Sequence, residues 1–308
     1  MSSRIRGLGF ASIILALLFT ADARAATIYA FNQSGGLVSF DSSSPGALLS
    51  NVPITGLLVN ENLLGIDFRP ANGLLYGLTN QSRLYTINTS TGAATLASVL
   101  STSLPVQNGY GTDFNPSVDR LRITGSNGIN FRVNVDTGAV TVDSFLNYAA
   151  GDPHFGTPPS IGGSAYSNNT AGTPTTTLFD LDIELNLLAI QNPPNAGTLN
   201  TVGPTGIISN SIERAGLDIV TDSGGTNQAF AFMSTQNDPN GFYTVNLGTG
   251  GVTFVGDIAG LRVSYVDIAA QLAPNPPPGG GVPIPPAALI AIPGAALALV
   301  KARKLRAE

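Results

Sequence analysis

The chain has 308 residues, of which 14 are basic and 19 acidic, and its formal net charge is −5. It contains no cysteine and one histidine, which excludes disulfide bonds, thiol catalysis and metal centres built from several cysteine or histidine ligands. The acidic balance argues against nucleic-acid binding, because an acidic surface repels the phosphate backbone.

The N-terminal segment, residues 1–25, has the three parts of a secretory signal. Arg4 and Arg6 come first, an apolar run over 8–19 follows, and a small-x-small site ends at Ala25. The apolar run is shorter than the roughly 20 residues that a membrane-spanning helix needs. We therefore predict cleavage between Ala25 and Ala26 and export of the remaining chain.

The exported part divides by composition into a body at 26–272, a Pro/Gly linker at 273–281 and a C-terminal segment at 282–308. The body carries 7 basic and 17 acidic residues and no lysine. Its many glycines and prolines, set among short apolar runs, favour strands and turns over helices.

A short motif with a central aspartate recurs through the body. The clearest copies are Gly-Ile-Asp-Phe-Arg-Pro at 65–70 and Gly-Thr-Asp-Phe-Asn-Pro at 111–116, and looser copies surround Asp218 and Asp267. A degenerate copy has Ala165 at the aspartate position. Successive copies lie between 46 and 53 residues apart, a period typical of propeller blades.

Each complete copy is followed by alternating apolar and polar runs separated by Gly- or Asn-containing turns. For example, Leu-Leu-Tyr-Gly-Leu-Thr at 74–79 leads through a polar turn to Arg-Leu-Tyr-Thr-Ile-Asn at 83–88. The hairpin at 27–41 has no copy before it, and the copy at Asp267 has no hairpin after it. Joined, these two ends complete one unit and remove exposed sheet edges.

We therefore predict an all-β fold, a β-propeller of five blades closed by pairing of its N- and C-terminal segments. Six blades remain open, because the repeats at 165 and 218 contain extra sequence. A stacked β-solenoid or a sandwich is the structural alternative.

The body also resembles a bacterial family of domains of unknown function, the one numbered 4394. The resemblance covers most of 27–272 and depends on the Gly-x-Asp-Phe-x-Pro motif, Leu-Tyr-Gly-Leu-Thr at 75–79 and Asp-Thr-Gly-Ala-Val at 136–140. It implies an envelope protein with this architecture. No activity and no catalytic residues come with the family.

The repeated acids Asp67, Asp113, Asp218 and Asp267 are the first candidates for chemistry. At equivalent positions in successive blades they would line one end of a central channel, where they would hold a cation. Alternatively, each carboxylate accepts backbone hydrogen bonds and stabilises an interblade turn. We favour the structural interpretation, because recurrence in blade after blade is what it requires.

A second acidic group, Asp180, Asp182 and Glu184, alternates with Leu181 and Ile183. On a strand, the three acids would share one face and would suit a hard cation such as Ca²⁺. With an acid from another blade they would also suit glycoside hydrolysis. The alternative is a solvated strand face above a buried Leu/Ile face.

Four other side chains are candidates for recognition or catalysis. His154 lies in a Pro-flanked loop without an evident nucleophile, which favours an exposed loop histidine over a general base. Arg69, Arg122 and Arg132 are scarce cations in an acidic body. We expect them to pair with neighbouring repeat acids, and recognition of a substrate carboxylate is the alternative.

The C-terminal segment has the layout of a sorting signal. Pro and Gly at 276–281 precede an apolar run at 287–300 and a basic end. The residues between them are Val282, Pro283, Ile284 and Pro285. This segment resembles the PEP-CTERM class of bacterial sorting signals in its proline-rich form, without the glutamate, and the resemblance implies processing by an exosortase-type enzyme. A plain membrane anchor is the alternative, and both place the body outside the cytoplasm.

The leading functional hypothesis is a secreted or surface-attached, non-enzymatic envelope or matrix protein whose loops bind a protein or an extracellular glycan. No cofactor is predicted, with Ca²⁺ as the one open possibility. A carbohydrate-active hydrolase is the alternative, on fold analogy alone. The absence of tryptophan weakens that alternative, because tryptophan is well suited to stacking on sugars.

Overall fold

The structure is a computed structural model that describes residues 25–207, 212–259 and 264–272. These residues form 21 strands and one short 3₁₀ helix, Pro194–Ala196. In this part of the chain no helix has the length and hydropathy to cross a membrane. The linker at 273–281, the sorting motif and all of the secretory signal except Ala25 lie outside the described residues.

The strands form five sheets. In each sheet four antiparallel strands lie side by side, in order from an inner strand next to the channel to an outer strand. The sheet that joins the chain ends contains β21 (Tyr265–Leu272), β1 (Ala26–Asn32), β2 (Gly36–Asp41) and β3 (Leu48–Pro53). The next contains β4 (Leu63–Phe68), β5 (Leu75–Thr79), β6 (Arg83–Ile87) and β7 (Ala94–Val99). The third contains β8 (Tyr110–Asn115), β9 (Arg120–Gly125), β10 (Asn130–Asn134) and β11 (Ala139–Val142).

The remaining two sheets include the one irregular blade. The fourth contains β13 (Ile161–Tyr166), β14 (Leu178–Asp182), β15 (Leu187–Gln191) and β16 (Thr198–Pro204), with the short β12 (Asn147–Tyr148) added in parallel outside β16. The fifth contains β17 (Ile212–Thr221), β18 (Asn227–Thr235), β19 (Gly241–Val245) and β20 (Val252–Asp257). The inner strands β4, β8, β13, β17 and β21 contact one another in sequence around a ring.

The prediction of a five-bladed propeller is confirmed, including the way the ring closes. β1 pairs antiparallel with β21, with Ile28 opposite Ala270, so the N-terminal hairpin completes the blade that the last repeat begins. The extra sequence in the longer repeats forms β12 and loops within existing blades, so it adds no sixth blade.

The hydrophobic core consists of layers between neighbouring blades. Phe40 of the first blade meets Phe242 of the fifth edge to face, with ring centroids 5.1 Å apart. Tyr76 and Phe114 make the same kind of contact, at 5.3 Å, between the second and third blades. The inner and middle strands of each sheet therefore bury their apolar side chains against the neighbouring blades, whereas the outer strands stay largely exposed.

Candidate functional site

The repeated aspartates connect each inner strand to the next. The edge of an inner strand that faces the channel has unpaired backbone N–H groups. Asp67 Oδ2 of β4 accepts a 2.7 Å hydrogen bond from the N–H of Phe114 on β8. Asp113 Oδ1 of β8 accepts one of 3.1 Å from the N–H of Tyr166 on β13. The carboxylates thus bond to the neighbouring inner strand rather than to a turn.

Two further aspartates continue this pattern around the ring. Asp218 Oδ2 of β17 accepts the N–H of Ala270 on β21 at 2.5 Å. Asp267 Oδ2 of β21 accepts the N–H of Ile66 on β4 at 3.0 Å. Between β13 and β17 there is no such aspartate, because Ala165 holds the equivalent position. The ring therefore has four carboxylate links and one gap.

Three of these carboxylates converge. Asp67, Asp113 and Asp218 each offer one oxygen, and these oxygens lie within 4.8 Å of one another. All three residues are buried, with exposures of 3%, 1% and 1%. Burial, with the nearby carboxylates, holds the pKa values of Asp67 and Asp113 well above their usual range. Burial raises the pKa of Asp218 to about 7.

The blade that lacks the channel aspartate has a different polar connection. Ser164, next to Ala165, donates a 2.5 Å hydrogen bond to Asp180 Oδ1, and its Oγ lies 2.7 Å from Oγ1 of Thr124 in the third blade. Asp180 is fully buried, which raises its pKa to about 7. This connection was not apparent from sequence, because it depends on residues at three different repeat positions.

The prediction of three acids on one solvated strand face is wrong. β14 ends at Asp182, and Glu184 lies beyond it in an exposed turn. Asp180 and Asp182 are both fully buried, because the blade packs between neighbours on both faces. Asp182 accepts a 2.8 Å hydrogen bond from the Tyr148 hydroxyl, which attaches β12 to the blade. The described structure therefore does not bring these three acids together.

The arginines are paired as expected, but their partners are not the repeated aspartates. Arg69 bonds to Asp119 and Asp136 at 2.6 and 2.7 Å. The other two arginines share one carboxylate. Both Arg122, which is 1% exposed, and Arg132 bond to Asp143, at 2.6 and 2.7 Å.

These ion pairs give all three arginines a structural role, as partners of carboxylates within the propeller. Arg122 also bonds to Asn195 Oδ1 at 2.9 Å, and this bond joins the third blade to the fourth. His154 lies in a half-exposed turn, with its ring 5.5 Å from that of Tyr148.

A cavity of about 740 Å³ opens at the end of the channel where the inner strands begin. Six amide side chains dominate its polar lining: Asn32, Gln33, Asn62, Asn80, Gln107 and Asn108. They come from the turns β1–β2 and β5–β6 and from the segments that lead into β4 and β8. A smaller adjoining cavity shares Gln107, Asn108 and Arg214 with it.

The cavity has one acid and one base among its described lining residues, Glu61 and Arg214. Glu61 accepts hydrogen bonds from the hydroxyls of Thr79 and Tyr85, at 2.6 and 2.7 Å, and from the Leu58 N–H at 3.0 Å. Burial acts to raise the pKa of Glu61, but these hydrogen bonds outweigh it and the pKa lies below its ordinary value. Glu61 is therefore a fixed, ionised structural group.

Arg214, on β17, has a different character. Its side chain forms no ion pair or hydrogen bond with any other residue in the described part of the chain. Gln107, in the same lining, accepts a 3.1 Å hydrogen bond from the Asn127 N–H through its Oε1. Neither residue was predicted as a site, because the cavity forms from turns and strand starts that carry no repeated motif.

The protein is thus a five-bladed β-propeller with an amide-lined cavity, large enough for a ligand, at one end of its channel. The chain belongs to the family described as Domain of unknown function (DUF4394), whose model matches residues 36–269. No curated protein matches the sequence. The crystal structure of a structural genomics protein of unknown function from Bacteroides thetaiotaomicron is similar, at 14% identity and a TM-score of 0.45. The similarity covers 81% of this chain and 65% of that chain, so slightly less than two thirds of the latter.

Proposed function

We propose that this protein is a non-enzymatic envelope or matrix protein that binds an extracellular glycan in the cavity at the channel mouth. The observation that carries the proposal is the set of six amide side chains around one cavity of about 740 Å³. An amide group both donates and accepts hydrogen bonds, as does a sugar hydroxyl, so this lining suits a polyhydroxylated ligand.

The arrangement of acids supports binding over hydrolysis. Glycoside hydrolysis uses two carboxyl groups on either side of the scissile bond. Glu61 is the sole acid among the described cavity residues, and its hydrogen bonds keep it ionised. The channel carboxylates, whose pKa values are raised, are at most 3% exposed and are out of reach of a sugar.

Export is part of the proposal and is supported by the sequence. A secretory signal before Ala26 and a sorting segment from Val282 would place the propeller outside the cytoplasm, where an exosortase-type enzyme would process the tail. Mass spectrometry of the protein recovered from the envelope tests this. We expect a mature N-terminus at Ala26 and a processed C-terminus, whereas intact ends would contradict export by this route.

A glycan array followed by calorimetric titration tests the binding function. Asn108 and Gln33 are exposed, and their side chains form no hydrogen bonds within the described residues, so both are available to a ligand. We expect Asn108→Ala to weaken binding of the best array ligand about threefold to tenfold, the effect of losing one hydrogen bond. Because Arg214 has no carboxylate partner, we expect acidic oligosaccharides to bind more tightly than neutral ones.

The matched control is Asn51→Ala, which removes an exposed amide from the outer strand β3 that does not line the cavity. This variant should bind like the wild type. If no glycan binds, or if Asn108→Ala and Asn51→Ala weaken binding equally, the cavity is not the binding site.

A further inference from the structure

The channel acids form a cluster with the spacing of a metal site. Asp67, Asp113 and Asp218 come from three inner strands, and one oxygen of each lies within 4.8 Å of the others. Three oxygens this close have a common centre at most about 2.8 Å from each of them, which is slightly longer than the usual Ca–O distance of about 2.3–2.6 Å. Small side-chain shifts therefore let one Ca²⁺ ion contact all three carboxylates, with the strands left in place.

A separate observation indicates that this cluster lacks a partner. Asp67 is 3% exposed, and its Oδ2 accepts the interblade hydrogen bond from Phe114. Its other oxygen, Oδ1, is buried and has no hydrogen-bond partner within the described residues. The adjacent N–H of Phe68 lowers the Asp67 pKa but is not in hydrogen-bonding geometry with Oδ1. Buried carboxylate oxygens are rarely left unpaired, so Oδ1 has the character of a vacant ligand atom.

The charge of the cluster is also uncompensated. Asp267 lies close enough to raise the pKa of both Asp67 and Asp113, so four carboxylates share the channel. No ion pair among the described residues involves any of the four. Several carboxyl groups in one buried site repel one another when they are ionised. They must therefore either take up protons or bind a cation.

We propose that the central channel binds one Ca²⁺ ion through Asp67, Asp113 and Asp218. Three hard oxygen ligands suit calcium, whereas a zinc site would use histidine or cysteine. The ion connects the second and third blades to the fifth. It therefore spans the part of the ring where the carboxylate link between β13 and β17 is missing, because Ala165 replaces the aspartate. This site is separate from the glycan cavity, so either assignment can fail without the other.

The test measures metal content and thermal stability of the purified full-length protein. After dialysis against Ca²⁺ and removal of free ion, elemental analysis should find about one calcium per chain. Chelation should lower the melting temperature by about 5 °C or more, the effect of removing a ligand present at about 100 times its dissociation constant. Ca²⁺ should restore the melting temperature, and the same concentration of Mg²⁺ should not.

Two variants identify the ligands. Asp113→Asn keeps an oxygen for the Tyr166 N–H but removes the charge, so bound calcium and the response to chelation should both be lost. Asp180→Asn, the control, changes an equally buried acid outside the cluster and should retain both. If the wild-type protein binds no calcium and its melting temperature ignores chelation, the carboxylates are neutralised by protons and the proposal is wrong. Should Asp113→Asn fail to fold, the wild-type measurements still decide.

Discussion

Asp267 Oδ2 accepts a 3.0 Å hydrogen bond from the backbone N–H of Ile66, and this bond joins β21 to β4, the inner strand of the second blade. The two residues are 201 positions apart in sequence. The same relationship links Asp67 to Phe114 and Asp113 to Tyr166. The recurring aspartate is therefore the residue through which one inner strand satisfies the exposed edge of the next.

The interblade hydrogen bond can be isolated by comparing two substitutions at one site. Asp67→Asn and Asp67→Ala both remove the buried carboxyl group, but only asparagine retains an oxygen for the Phe114 N–H. We expect the asparagine variant to be more stable by about 1–3 kcal/mol, the cost of a buried unpaired donor. Urea unfolding with a chelator present measures this difference. Equal stabilities would show that the hydrogen bond contributes nothing.

The pH dependence of stability should report the buried acid Asp180. Burial raises its pKa from 3.8 to about 7 in the folded state, so the folded protein holds this proton more tightly than the unfolded chain does. The contribution of this bound proton to the free energy of unfolding is fully present below about pH 4, and it is lost as the pH rises to about 7.

The Asp180→Asn variant provides the comparison. Between pH 4 and pH 8, with chelator, the stability of the wild type should fall further than that of the variant, by up to about 4 kcal/mol. Unfolding curves at a series of pH values measure the difference. Parallel profiles for the two proteins would mean that the Asp180 pKa is the same in the folded and unfolded states.

The buried arginine of the third blade should depend strongly on its acid. Asp143→Ala leaves Arg122 buried and without a carboxylate, which we expect to reduce the free energy of unfolding by about 3–5 kcal/mol. Asp136→Ala is the control, because the Asp136 side chain is 62% exposed in its pair with Arg69. Its cost should stay below about 1 kcal/mol. Similar losses in the two variants would contradict this assignment of roles.

The close approach between the fifth and first blades can be tested at Gly216. A Cβ atom there would overlap Asp267 Oδ1 and lie 2.8 Å from the Ile268 nitrogen. Gly216→Ala should therefore destabilise the protein by about 1–3 kcal/mol through overpacking. At Gly46 the nearest atom to an added Cβ is 3.9 Å away, so Gly46→Ala should change little. Thermal unfolding distinguishes the two, and a neutral Gly216→Ala would mean that the blades separate easily.

Much of the fold was predictable because each blade repeats the same local chemistry. The aspartate motif, the Gly-containing turns and the alternating strands recur at a regular period, and the unmatched ends at 27–41 and Asp267 indicate closure. The site was less predictable. Ala165 conceals one copy, and burial of Asp180 and Asp182 depends on how neighbouring blades cover both faces of a sheet.

The amide-lined cavity shows why the rest could not be found in sequence. Gln33 and Asn80 lie in different turns and Asn108 lies in the segment before β8, and nothing in their local sequence distinguishes them from ordinary loop residues. The ion-pair partners of the arginines are equally non-local: Arg69 reaches Asp136, which is 67 positions away. Only the ring brings such residues together.

Closure of the ring by the two terminal strands is the claim on which the channel and the cavity both depend. Thr27 and Gln271 lie opposite each other in the pairing of β1 with β21, and the natural chain has no cysteine to interfere. Directly paired strand residues have the Cα separation that a disulfide requires. Combining Thr27→Cys with Gln271→Cys should give a nearly complete intramolecular disulfide under mild oxidation, detected by non-reducing electrophoresis and peptide mass spectrometry. Combining Thr27→Cys with Thr141→Cys, on the outer strand of a non-neighbouring blade, should give none; failure of the first pair to cross-link, or equal cross-linking of both, would contradict the closed ring.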